Sequence, residues 1–141
     1  MKKYFTFLVL GTLFLYAIWF IAPFFWGYLY EGETLNLLSW NGYGGVIDAN
    51  GPIPYVIGLA YVIVSLGLIY YKNWARFAFL LLTCFSVVSA PFWGMQIQTG
   101  YEFVLTYLVA LGDGAILVIA YLTNVSNEFN FAHNNAPKRT V

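Results

Sequence analysis

Four long apolar stretches, at about residues 4–26, 53–71, 75–95 and 103–123, dominate the chain and are separated by polar or glycine-rich breaks. A helix crosses the hydrocarbon layer of a bilayer with about 20 mostly apolar residues, so each stretch predicts a membrane-spanning helix. The break around Lys72 and Asn73 is so short that it forces the second and third helices into an antiparallel hairpin. Residues 96–102 form another short break, whereas residues 27–52 form one long loop. The pattern predicts an all-α integral membrane protein, an antiparallel bundle of four transmembrane helices within residues 1–123. A polar tail, residues 124–141, follows and is expected to be flexible. Pro23 and Pro91 lie about one turn inside the ends of their spans and are expected to kink them, while Pro52 and Pro54 suit the first turn of the second span.

Charge sets the expected orientation. With four crossings, all six basic residues (Lys2, Lys3, Lys72, Arg76, Lys138 and Arg139) fall on the side of both termini. The positive-inside rule makes that side cytoplasmic. Glu31, Glu33, Asp48 and Glu102 fall opposite, which makes residues 27–52 an extracytoplasmic loop. The expected location is the cell membrane, crossed several times, and specifically a bacterial inner membrane. The first span reads as an uncleaved signal anchor, because Ile21-Ala22-Pro23-Phe24 offers no small-x-small cleavage site. Trp74 and Arg76 open the third span as interfacial anchors.

Composition narrows the chemistry. Hydrophobic residues make up 61% of the 141 and charged residues 9%, against about a quarter charged in soluble domains. Zero net charge leaves no basic patch to attract nucleic acid. The single cysteine, Cys84, excludes an intrachain disulfide or a thiol relay. The single histidine, His133, lies in the tail, so zinc sites built on histidines and bis-histidine haem are excluded. No catalytic residue, metal site or cofactor is expected.

The outer loop admits two readings. Asn41-Gly42 separates the runs 35–40 and 43–48, as the turn of a short β-hairpin would. Alternatively, residues 34–40 form a short interfacial helix stopped by Gly42. In either form Trp40, Asn41, Tyr43 and Asp48 are the candidate residues for contact with a partner; a plain cap over the bundle is the competing reading.

One residue is expensive where it stands. Asp113 lies ten residues into the fourth span, near mid-membrane. A carboxyl there costs a few kcal/mol and faces the bundle or a cavity, is protonated, or is paired. Matching depths along antiparallel spans brings Ser86, with Thr83 and Ser89, from the third span, Ser65 from the second, and Thr12 and Tyr16 from the first. Gly112 and Gly114 flank the acid and permit close helix approach. This group is either packing glue or a proton or cation site. Ala110-Leu111-Gly112-Asp113 lacks the first glycine of the Gly-x-Gly-Asp motif of intramembrane aspartyl proteases, and the other aspartate, Asp48, lies in the outer loop.

These features favour a small polytopic membrane protein that acts without catalysis through intramembrane and outer-loop contacts, as an accessory subunit or an immunity-type inhibitor. The alternative is a small oligomeric transporter or channel using Asp113. The expected partners are membrane lipid and further copies of the chain or a larger membrane complex, with no nucleic acid.

Overall fold

The apolar stretches are helical over most of their length. The computed structural model describes residues 2–129, and among these no strand occurs. The helices are α1 (Lys2–Ile21), α2 (Trp26–Leu29), α3 (Gly32–Leu38), α4 (Ile53–Ile69), α5 (Asn73–Ser89) and α6 (Gly100–Leu122). Three apolar helical stretches are long enough to cross a membrane: Lys2–Leu29, Asn73–Trp93 and Gly100–Leu122. The helix α4 is also apolar but shorter, at 17 residues. At most 22% of the most apolar part of any of the three stretches is buried, so most of their apolar side chains face outward, as suits lipid and not water.

The two proline sites where kinks are expected take the same form. Ala22–Phe25 and Ala90–Trp93 are 3₁₀ turns built on Ala-Pro-Phe-aromatic sequences. Proline lacks an N–H and clashes with the carbonyl one turn back, and a tighter turn relieves both problems. The first turn leads directly into α2; the second ends α5.

Helix α1 runs antiparallel to both α4 and α6. At one end Lys2 Nζ pairs with Glu128 at 2.7 Å and Tyr71 donates to the Lys2 carbonyl at 3.1 Å. At the other end Trp26 meets Glu102. Helix α5 pairs with α4 through the hairpin at Lys72 and meets α6 beside Arg76 and Tyr121. The core lies toward the Lys2 end, where Phe5, Leu68, Phe79 and Phe129 are almost fully buried. Phe129 stands edge-on to Phe5 (6.0 Å) and Tyr71 (5.5 Å). The tail therefore packs against the bundle as far as Phe129. Its remainder, with His133, Lys138 and Arg139, lies outside the described residues.

The loop 27–52 is not a β-hairpin. Its first half forms α3, which turns Leu38 into the protein, and the Asn41-Gly42 turn pairs with the chain beyond α5. Gly42 N–H donates to Met95 O at 2.7 Å and Met95 N–H to Tyr43 O at 3.0 Å. The Val46 and Ile47 N–H groups both donate to Phe92 O, at 2.9 and 3.0 Å. These long-range bonds satisfy the backbone groups that a hairpin would have paired locally.

Candidate functional site

Asp113 sits half-buried in the middle of α6, and three helices fix its surroundings. Its Oδ1 accepts a 2.5 Å hydrogen bond from the Tyr61 hydroxyl on α4. Tyr61 is only 7% exposed, and Tyr16 of α1 stacks on its ring at 4.3 Å. The phenol suits this position because its ring packs among apolar neighbours while its tip reaches across to the neighbouring helix. Asp113 has no ion-pair partner: among the described residues the one ion pair is Lys2–Glu128.

The residues around Asp113 divide into two groups. Gly112 touches α1 so closely that a Cβ would collide with the Thr12 side chain. Thr12 is itself buried and donates to Leu8 O at 2.9 Å. Gly114, by contrast, has open space where a Cβ would stand. Ser65 is buried on α4, one turn from Tyr61. Ser86 is exposed and donates to Leu82 O at 3.0 Å, as Thr83 does to Phe79 O at 3.0 Å. Such bonds to the carbonyl four residues back are the ordinary way Ser and Thr are satisfied in apolar helices. Thr12 and Tyr16 thus stand at the crossing, while the α5 hydroxyls turn to their own helix.

A second carboxylate is held more tightly. Glu102 is 3% exposed in the first turn of α6. Its Oε1 accepts from Trp26 Nε1 at 2.6 Å. Its Oε2 accepts from the Thr99 backbone N–H at 2.9 Å and the Thr99 hydroxyl at 2.8 Å. The Thr99 hydroxyl accepts in turn from Glu102 N–H at 3.4 Å. This is a capping box with an indole added from the first residue of α2, and its three donors make Glu102 a staple between α2 and α6. The Thr-x-x-Glu spacing ahead of an apolar run could have disclosed the box in the sequence, but starting the span at residue 103 put Glu102 in the preceding loop.

The outer loop residues form a cap. Asn41 Oδ1 accepts from Ile97 N–H at 3.0 Å, adding a fifth bond to the four backbone bonds across the two loops. At their crossing a Cβ on Gly45 would stand 2.6 Å from the Trp93 carbonyl carbon, and Gly94 adopts φ +75°, so glycine is required at both positions. Trp40 and Tyr43 lie together, ring centroids 5.3 Å apart, and remain 50% and 67% exposed. Asp48 takes no part in that aromatic pair; its carboxylate accepts from Asn50 N–H at 2.8 Å, shaping the turn that leads into α4.

At the opposite end, Trp74 is half exposed. Arg76 links elements: it donates to Ala120 O at 3.5 Å and Asn73 Oδ1 at 3.1 Å and lies 4.8 Å from the Tyr121 ring centre. Among the described residues no three His, Cys, Asp or Glu side chains gather as a metal site would need. The chain matches no family model, no curated protein and no solved structure.

Proposed function

We propose that the chain crosses a bacterial inner membrane four times, with both termini cytoplasmic, and works without catalysis by presenting its outer cap to a partner membrane protein. Helix α4 counts as the fourth span in this reading, because its 17 residues cover about 25 Å, near the lower limit for crossing. Orientation is supported by the gathering of Lys2, Lys72 and Arg76 at one end of the bundle, opposite Glu31, Glu33, Asp48 and Glu102. The observation that carries the contact role is the cap itself. Its backbone is tied across two loops, yet Trp40 and Tyr43 remain exposed. Rigid aromatic side chains held ready in this way bind with little ordering cost.

The test is photo-cross-linking in native membranes with a photoreactive amino acid at position 40 or 43. A discrete adduct with one partner protein is expected at both positions and not at Val118. Adducts with lipid alone at positions 40 and 43 would overturn the contact role.

A second reading, a small oligomeric transporter or channel, is favoured by one observation: the half-buried Asp113 carboxyl has a phenol and no cation as its partner. Proteoliposomes would then move protons or cations, and Asp113→Asn would abolish the flux. Equal flux from wild type and variant would remove this reading.

A further inference from the structure

The outer half of α1 carries a groove distinct from the carboxyl sites and the cap. Phe14, Ala17, Ile18 and Ile21 line it at helical spacing, and the lining continues beyond the Pro23 turn through Phe25 to Leu29. The small side chain of Ala17 gives the groove its depth, and Tyr101 of α6 adds a further wall. The Trp26–Glu102 staple holds the start of α2 against α6 beside it. The groove is open along one side and has a volume of ≈ 450 Å³.

We propose that this groove holds one alkyl chain of a membrane lipid. Its lining has no charged or amide side chain, so it suits neither ordered water nor a polar ligand. Size selects among apolar occupants. From Phe14 to Leu29 the lining covers about 22 Å of helix axis. Spread over that length, the ≈ 450 Å³ gives a channel roughly 5 Å wide, whereas a helix with side chains is about 10–12 Å across. A groove of that width admits a single extended alkyl chain and is too narrow for a helix. The two phenols of the lining, Tyr28 and Tyr101, belong to the outer end of the bundle, where tyrosine favours the headgroup level. The inference rests on the membrane reading given above.

The test is the lipid retained by protein purified in mild detergent and washed by gel filtration, quantified by mass spectrometry. Wild type and Val118→Phe, an equal bulk on an exposed part of α6 outside the groove, are expected to keep about one lipid per chain. Ala17→Phe fills the groove and is expected to keep about five-fold less, and the smaller Ala17→Leu about two-fold less. Wild type that stays in alkali-washed membranes but keeps no more lipid than Ala17→Phe overturns this proposal alone. Wild type released by the alkali wash overturns the membrane reading beneath it. A lipid-free wild-type dimer that Ala17→Phe splits would give the groove to a second copy and overturn the proposal.

Discussion

Each of the two carboxylates held between helices, Asp113 and Glu102, has an aromatic donor, Tyr61 or Trp26. An aromatic side chain packs among apolar neighbours along most of its length and still presents one N–H or O–H, so it serves a buried acid without introducing a second charge. Trp26→Phe keeps the ring and removes the donor. It is expected to lower stability by about 1–3 kcal/mol, the usual cost of leaving a buried group unpaired, as read by thermal unfolding in detergent. An unchanged melting temperature would show that the staple contributes nothing. The glycines beside Asp113 provide a matched pair. Gly112→Val drives a side chain into Thr12, and an overpacking cost of about 1–3 kcal/mol is expected; Gly114→Val meets open space and is expected to unfold close to wild type in the same assay. Asp113 was legible in the sequence because a carboxyl amid apolar residues stands out. Its partner was not. Helix α4 is apolar on nearly every side, so hydropathy does not fix its rotation, and packing against Tyr16 and Phe79 selects the face that carries Tyr61.

Elements were more legible than contacts. The apolar stretches matched α1, α4, α5 and α6, and both proline sites became 3₁₀ turns. Boundaries moved where local chemistry decided them. The Thr99–Glu102 capping box starts α6 at Gly100, and the Pro91 turn ends α5 at Ser89. The outer loop was the least legible, because Asn41 and Gly42 find their partners at Ile97 and Met95, far along the chain, and no local pattern encodes that pairing. The cap should therefore behave as one unit. Gly45→Ala places a Cβ 2.6 Å from the Trp93 carbonyl carbon and is expected to unlatch it. Limited proteolysis within residues 39–52 should then run about tenfold faster than in wild type, because local opening governs cleavage. Equal cleavage rates would mean that the two loops are not latched together.

For the whole molecule, sorting of charge and polarity is the governing feature. The helices turn apolar surface outward, hold Asp113 and Glu102 between one another, and gather Lys2, Lys72 and Arg76 at the end where Phe129 closes the core. A bilayer between the two ends would account for that arrangement. The most direct measurement replaces Cys84 with alanine and introduces Tyr43→Cys or Asn73→Cys, one at a time, for labelling by a membrane-impermeant maleimide on intact spheroplasts. The account predicts that Tyr43→Cys reacts from outside and Asn73→Cys only after the membrane is permeabilised. Labelling of both positions from the same side of an intact membrane would contradict it.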